Sequence, residues 1–174
     1  VLILNPVVFD DYRGFFMESY NKMECERMGI SDQFVQEDHT KSNQGVVRGL
    51  HFQKKFPQGK IVRCIQGEVL DVVVDIRIGS PTFGQTLTII ISSENKKQIW
   101  IPHGFAHGFS VLSQTAELLY KLTNYYHPED EAGIRWDDPS LKIDWKIKNS
   151  IVSEKDQINP YFEEASKNFP KFVN

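Results

Sequence analysis

The stretch of residues 60–76, KIVRCIQGEVLDVVVDI, restricts the possible folds more than any other part of the sequence. It is rich in β-branched residues and is divided at Gln66–Gly67, which predicts two β-strands joined by a hairpin-like turn. In the second run, residues 70, 72, 74 and 76 are apolar, whereas residues 69, 71, 73 and 75 alternate valine with aspartate. Because successive side chains of a strand point to opposite faces, one face is apolar and the other mixed, as in a β-sandwich strand.

Further β-rich segments follow along the chain. They are TLTIIIS (86–92), QIWI (98–101) and SVLSQTAELLYKLTNYY (110–126), and the last predicts a hairpin around Ser113–Thr115. Helical patterns are confined to residues 21–30 and 160–169. Short strands at regular spacing with few helices indicate an all-β sandwich or small barrel.

Length and charge argue against several classes of protein. The 174 residues suit one domain, and their formal net charge of −3 lacks the basic surplus of a nucleic-acid-binding protein. No apolar run approaches the length that crosses a membrane, and no signal-peptide pattern opens the sequence. Cys25 and Cys64 match neither a metal-binding spacing nor a disulfide framework. We therefore expect a single cytoplasmic domain over residues 1–174, with no nucleic-acid or membrane partner.

Two histidines lie in otherwise apolar segments. His51 is in GVVRGLHFQ (45–53), three residues after an arginine, and His107 is in IPHGFAHGF (101–109). The Pro-x-Gly-x-x-His spacing of the second segment resembles a motif of the cupin barrels, in which the histidine points inward from a strand. Metal-binding cupins also have a His-x-His pair in their first motif, but that position reads HFQ here. Two histidines are too few for a transition-metal site, so we expect a barrel without a metal.

Six segments of the chain together resemble one family, the dTDP-4-dehydrorhamnose 3,5-epimerases. In order, they are FDDYRGFFMESY (9–20), FVQEDHTKSNQGVVRGLHFQ (34–53), QGKIVRCIQGEVLDVVVDIRIGSPTFG (58–84), QIWIPHGFAHGFSVLS (98–113), LYKLTNYYHPEDEAGIRWDDP (119–139) and SEKD (153–156). The resemblance implies a cupin-like double-stranded β-helix, or jelly roll, with a few short peripheral helices and no cofactor. It also implies a homodimer in which the N-terminal segment, about residues 1–40, contributes to the partner's active site.

The family's reaction inverts C3 and C5 of dTDP-4-dehydro-6-deoxy-D-glucose in dTDP-L-rhamnose biosynthesis. Because the C4 ketone acidifies the protons on both carbons, the reaction needs a base, a group that stabilises the enolate, and an acid on the opposite face. The resemblance implies that His51 is the base, Asp156 its carboxylate partner, Lys60 the cation beside the C4 oxygen, and Tyr120 the acid. Imidazole titrates near neutral pH and a phenol stays protonated there, so both residue types suit these roles.

The same resemblance assigns nine further residues to substrate binding. Arg48 matches an arginine whose guanidinium presents a fork of donors suited to phosphate oxygens. The other eight are Arg13, Glu18, Gln36, Asp38, His107, Tyr126, Glu131 and Lys155. Residues 36–38 read QED where the family often has QDN, which predicts altered contacts to the nucleotide base and ribose.

Other activities fit parts of this pattern. A related epimerase that acts at one centre, or on another nucleotide sugar such as a GDP-linked deoxyheptose, has similar proton-transfer residues. A cupin ketoisomerase or metal-dependent oxygenase is disfavoured because the His-x-His pair is missing. A non-catalytic sugar-binding β-sandwich has no need of His51, Lys60, Tyr120 and Asp156 together. The 3,5-epimerase is therefore the leading hypothesis.

Overall fold

The β-rich segments form two facing sheets in the computed structural model, which describes residues 1–172. The strands of these residues are β1 (Leu2–Leu4), β2 (Val8–Asp11), β3 (Gly14–Met17), β4 (Gln36–Asn43), β5 (Val46–Gln53), β6 (Lys60–Gln66), β7 (Glu68–Asp75), β8 (Thr86–Ser92), β9 (Gln98–Ile101), β10 (Phe105–Val111), β11 (Thr115–Leu122), β12 (Glu131–Gly133) and β13 (Ile151–Val152). The helices are α1 (Lys22–Arg27), α2 (Glu154–Gln157) and α3 (Phe162–Ala165), followed by a 3₁₀ turn at Ser166–Asn168. The predicted all-β class is confirmed, and the sheets are arranged as in a jelly roll.

Many successive strands alternate between the two sheets. One sheet has the order β1-β9-β6-β11-β4, and the other has the order β12-β5-β10-β7-β8, with β13 also paired to β5. The predicted hairpins at Gln66–Gly67 and Ser113–Thr115 are therefore wrong, because β6 and β7, like β10 and β11, lie in different sheets. Alternation within a run predicts a strand but does not identify the strand's partner.

The two corners that replace these hairpins lie against each other and close one end of the barrel. Ser113 Oγ accepts a hydrogen bond from the backbone N–H of Glu68 at 2.8 Å and donates one to the carbonyl of Thr115 at 2.7 Å. Gly67 has a φ of +76°, and a Cβ there would lie 2.1 Å from the Thr115 carbonyl oxygen. The corner therefore requires glycine at this position.

Both faces of β7 are buried. Its apolar face, at residues 70, 72 and 74, packs outward against C-terminal side chains that include Trp145 and Phe169. Its other face points between the sheets, where Val69 and Val73 join the inner core. The mixed face of the sequence pattern therefore carries Asp71 into the interior of the barrel, where it is 0% exposed.

Both regions with a predicted helical pattern contain short helices. The side chain of Asn21 caps two backbone N–H groups at the start of α1, and this helix buries Cys25 against Trp100. Near the C-terminus, α3 and the 3₁₀ turn bring Ala165 and Phe169 onto the outer face of the second sheet. Within residues 1–172, no helix combines the length and apolar character needed to cross a membrane.

An N-terminal hairpin extends from this arrangement. Its strands β2 and β3 pair only with each other among the described residues. The rings of Phe9 and Phe16 lie on this hairpin and are 62% and 69% exposed. Because several apolar side chains are exposed together, the hairpin presents an uncovered apolar surface.

Candidate active site

A cavity of about 490 Å³ opens between the sheets, where β5 and β11 end and β6 begins. Eight of the thirteen predicted site residues line it: Asp38, Arg48, His51, Lys60, His107, Tyr120, Tyr126 and Glu131. The other five, which lie outside its lining, are Arg13, Glu18, Gln36, Lys155 and Asp156. Most of the residues expected to meet the substrate therefore converge on one cavity.

A β-bulge allows Arg48 and His51 to face the same cavity. Residues three apart in a regular strand point to opposite faces. On β5, however, residues 49 and 50 together lie opposite the single Gly108 of β10, which shifts the alternation by one. Gly49 has a φ of +127°, and a Cβ there would lie 2.6 Å from Gly108 Cα. Glycine is therefore needed where the strands come closest, and the short arginine–histidine spacing has a structural explanation.

His51 and Asp156 form a hydrogen-bonded pair beside the cavity. His51 Nε2 lies 2.6 Å from Asp156 Oδ1, while Oδ2 accepts a hydrogen bond from Gly49 N at 3.2 Å. Asp156 belongs to α2, which Ser153 caps, and its side chain is 4% exposed. Burial opposes ionisation of this carboxyl, but its hydrogen bonds with His51 and Gly49 hold its pKa below the usual value. An ionised Asp156 accepts a hydrogen bond from the Nε2–H of His51, which leaves Nδ1 unprotonated and able to act as a base.

Glu131 lies on the Nδ1 side of His51, with its Oε1 3.9 Å from Nδ1. The same side chain accepts a hydrogen bond from the hydroxyl of Tyr126 at 2.5 Å and forms an ion pair with Lys155. The hydrogen bond to Glu131 raises the pKa of Tyr126 to about 12. Lys155 thus does not line the cavity itself but pairs with a carboxylate that does.

Lys60 and Tyr120 enter the cavity from the opposite sheet to His51. Lys60 is the first residue of β6, and Tyr120 lies on the neighbouring strand β11. Burial lowers the pKa of Lys60, although the charges of Asp71, Glu131 and Asp38 favour its protonated form. Burial raises the pKa of Tyr120, so its hydroxyl stays protonated at neutral pH. The cavity therefore has an imidazole on one side and a lysine amino group and a phenol on the other.

A second imidazole–carboxylate pair, which the sequence analysis missed in part, is formed by His107 and Asp71. His107 Nε2 lies 2.9 Å from Asp71 Oδ2, and the two side chains are 5% and 0% exposed. Asp71 Oδ1 has no hydrogen-bond partner among the described residues. The alternation of valine with aspartate along β7 was the sequence pattern from which Asp71 could have been found. Within residues 1–172, no group of three or more His, Cys, Asp or Glu side chains is arranged to hold a metal ion.

Thr40 is a further cavity residue that the sequence analysis missed. Its Oγ1 lies 3.3 Å from the hydroxyl oxygen of Tyr120. Gln36 and Asp38 precede Thr40 at alternate positions of β4. The Nε2 of Gln36 donates a hydrogen bond to Asp38 at 2.9 Å. Gln36 Oε1 also accepts one from the backbone N–H of Tyr126 at 3.0 Å. The two-residue period of β4 was a sequence pattern from which Thr40 could have been found.

Arg13 and Glu18 belong to the N-terminal segment. Arg13 forms an ion pair with Asp11 in the turn of the hairpin, and Glu18 accepts a hydrogen bond from Asn21 Nδ2 at 3.0 Å. Neither residue lines the cavity of its own chain. Their predicted contacts with the substrate therefore stay a prediction.

Comparison with known proteins places these features in context. A family model described as dTDP-4-dehydrorhamnose 3,5-epimerase matches residues 1–164. A dTDP-4-dehydrorhamnose 3,5-epimerase of Shigella flexneri is 53% identical over 167 residues, which cover 95% of this chain and 92% of that protein.

Solved structures agree with the sequence comparison. A Legionella pneumophila dTDP-6-deoxy-D-glucose-3,5-epimerase in complex with dTDP-4-keto-L-rhamnose superposes with a TM-score of 0.96 at 47% identity, covering 99% of this chain and 93% of that one. A 3'-monoepimerase of Streptomyces bikiniensis in complex with dTDP-quinovose has a TM-score of 0.89 at 30% identity, covering 97% and 88%. The chain belongs to the dTDP-4-dehydrorhamnose 3,5-epimerase family.

Proposed function

We propose that this protein inverts C3 and C5 of dTDP-4-dehydro-6-deoxy-D-glucose, the 3,5-epimerase reaction of dTDP-L-rhamnose biosynthesis. The observation that supports it most is that an imidazole held by a carboxylate faces a cavity that also contains Lys60 and Tyr120. The bound dTDP-4-keto-L-rhamnose of the Legionella relative supports the same choice of sugar and nucleotide.

The first half of each inversion is the removal of a proton. His51 Nδ1 takes the hydrogen from C3 or C5, the C–H bond breaks, and its electron pair moves toward the C4 oxygen to give an enolate. The ammonium group of Lys60 stabilises the charge on that oxygen. Asp156 stabilises the imidazolium and holds the ring in place, as in hydrolase triads.

The second half is the delivery of a proton from the opposite face. The O–H bond of Tyr120 breaks as a new C–H bond forms at the enolate carbon, the C4 ketone returns, and a phenolate remains. The proton taken up by His51 is released to solvent, and the cycle is repeated at the other centre. These transfers need no redox cofactor, since no electrons are gained or lost overall.

The remaining predicted residues of the cavity and its rim are proposed to bind the substrate. Arg48 is exposed at the cavity and donates to Ser42 Oγ at 3.1 Å through Nε, which leaves its terminal nitrogens available for phosphate oxygens. Gln36, Asp38 and Tyr126 form the rim beside it and suit contacts to the base and ribose. His107, Glu131 and Lys155 complete the set.

A second copy of the chain is proposed to complete each site. The exposed rings of the N-terminal hairpin and the position of Arg13 and Glu18 outside the cavity of their own chain support a homodimer. In that dimer, about residues 1–40 of one chain contribute to the site of the other. Cys25 and Cys64 are both free, which fits the reducing cytoplasm, where we propose that the enzyme acts.

Solvent exchange tests this function. Turnover of the dTDP-linked 4-keto sugar in D₂O is expected to place one deuteron at C3 and one at C5, as read by NMR. His51→Asn is expected to abolish both, whereas Tyr120→Phe is expected to impair completion of the inversion more than proton removal. The likeness to a 3'-monoepimerase favours single-centre epimerisation as the second candidate, and that activity would give one deuteron. No deuterium with the dTDP-linked ketone, but exchange with a GDP-linked one, would contradict the proposed substrate.

A further inference from the structure

For each substrate molecule converted, the proposed reaction takes two protons from Tyr120, one for each centre that is inverted. Each inversion moves one proton from the phenol to carbon, and the phenol carries only one. After the first inversion Tyr120 is a phenolate, so a second proton must reach its oxygen before the other centre can be inverted. This requirement rests on the proposed function.

Thr40 is the hydrogen-bond partner of the Tyr120 hydroxyl within residues 1–172, at 3.3 Å. The two side chains lie on adjacent strands, because β4 pairs with β11, and both line the cavity. Thr40 is partly buried. The group that faces Tyr120 is therefore a hydroxyl, which can both donate and accept a hydrogen bond.

The direction of this hydrogen bond decides whether Tyr120 can act as an acid. If Tyr120 donated to Thr40, its proton would point away from the substrate. If Thr40 donates instead, the phenol proton is free to point into the cavity. The phenolate that remains after transfer then accepts a charge-assisted hydrogen bond from Thr40. Such a donor matters because burial disfavours the phenolate.

We propose that Thr40 orients the Tyr120 hydroxyl and relays solvent protons to it between the two inversions. In this relay, the Thr40 O–H bond breaks as the phenol O–H bond forms, and the Thr40 oxygen takes a proton from water. Thr40 is thereby restored, and the proton that His51 returns to solvent balances the one taken up.

The path from solvent to Thr40 follows the inner face of β4. Asp38 lies two residues before Thr40 on that face and lines the cavity. Gln36, the first residue of the strand, donates a hydrogen bond to Asp38. Side chains two residues apart on a strand are separated by about 6.6 Å along it, a gap that one bridging water spans. Polar groups therefore lead from the cavity rim to the phenol.

The test is a single turnover of the dTDP-linked 4-keto sugar in D₂O by three variants. Thr40→Val keeps the side-chain shape without the hydroxyl, and Thr40→Ser keeps the hydroxyl. The control is Thr88→Val, at an exposed position on β8. We expect T40V to accumulate a ketone inverted at one centre, with the second inversion slowed about 10- to 100-fold, whereas T40S stays within about threefold of the wild type. T88V is expected to match the wild type.

The ratio of singly to doubly inverted product is the decisive measurement, since a merely structural defect slows both inversions alike. A wild-type ratio in T40V would overturn the relay, and so would an equal loss in T40S. If T40V lacks a cooperative thermal unfolding transition, the ratio is taken from Thr40→Ala, which removes the hydroxyl without adding bulk. Failure of the proposed function has a different signature, because the wild-type product itself would then carry deuterium at one centre only or at neither.

Discussion

The side chain of Lys60 lies in the cavity among the charges of Asp71, Glu131 and Asp38. Burial disfavours its protonated form and lowers its pKa, whereas an enolate at the C4 oxygen would be stabilised by that same charge. The charge of Lys60 therefore favours the proposed reaction but lowers the stability of the fold. Such opposition is common where a charged group is held in place before its substrate arrives.

Replacing Lys60 by methionine is expected to raise stability and remove activity. Lys60→Met should lower the turnover rate by about 100-fold or more, and raise the free energy of unfolding by about 1 kcal/mol. The control is Lys54→Met, at an exposed position of the loop between β5 and β6, for which neither change is expected. Urea denaturation and the epimerase assay measure the two effects, and a less stable K60M protein would contradict the prediction.

The same pKa shift predicts how stability changes with pH. Because the pKa of Lys60 is lower in the folded protein than in the unfolded chain, the unfolded chain binds more protons between those two values. The free energy of unfolding should therefore gain a positive contribution as the pH rises through that window, toward the ordinary lysine pKa. The K60M protein should lack this contribution, which a comparison of urea midpoints across the alkaline range would reveal.

The sequence alone predicted only some of the site residues and their contacts. His51 and His107 were found from the apolar segments around them. The contact between His51 and Asp156 joins residues 105 positions apart, so no local pattern indicates it, and only the resemblance to a family did. Asp71 was visible as one of two aspartates that alternate with valine along β7, but its partner depends on which strand lies beside β7.

At the level of elements, the bulge in β5 determines which side chains enter the cavity. It turns both Arg48 and His51 inward, and it brings the backbone N–H of Gly49 to Asp156. The sequence analysis named no strand over residues 46–53, where β5 forms. A bulge depends on the register with β10, so it could not be read from one segment alone. The two wrong hairpins have the same cause, because strand pairing is decided by the whole chain.

Alanine at Gly49 is expected to damage both stability and activity. Its Cβ would lie 2.6 Å from Gly108 Cα, and its φ of +127° is strained for any side chain. We expect Gly49→Ala to lower the free energy of unfolding by about 3 kcal/mol or more, with a loss of epimerase activity as His51 and Arg48 are displaced.

Gly79→Ala is the matched control for this substitution. Gly79 also has a positive φ, +92°, but a Cβ there meets nothing within 4 Å. Its expected cost is therefore only the backbone strain, about 1–2 kcal/mol, with activity retained. Equal urea midpoints for the G49A and G79A proteins would mean that the close approach of β5 and β10 is not the reason why glycine is needed at residue 49.

At the scale of the whole molecule, the residues that close and stabilise the jelly roll lie apart from those that line the cavity. One end of the barrel is closed by the paired corners at Gly67 and Ser113, and the other contains the cavity. The outer face of the second sheet is covered by the C-terminal segments, so both faces of β7 are buried. The N-terminal hairpin is the exception, because its strands pair with neither sheet and the rings of Phe9 and Phe16 are exposed.

Mixing two inactive variants tests whether this hairpin serves a second copy of the chain. Arg13→Ala removes the proposed contribution to the partner's site, and His51→Asn removes the base of its own site. In a mixed dimer, the R13A chain supplies an intact cavity and the H51N chain supplies an intact N-terminal segment. After subunits exchange at random, about half of the dimers are mixed and each contains one complete site, so about a quarter of wild-type activity is expected.

The result distinguishes action between chains from action within one chain. If Arg13 served its own cavity, no mixed dimer would contain a complete site, and mixing would restore nothing. Each variant alone gives the baseline, and an R13A/H51N double variant mixed with inactive H51N protein is the matched control, since neither chain then carries His51. Because the hairpin lies outside the cavity of its own chain and exposes Phe9 and Phe16, recovery of activity in the first mixture is the expected outcome.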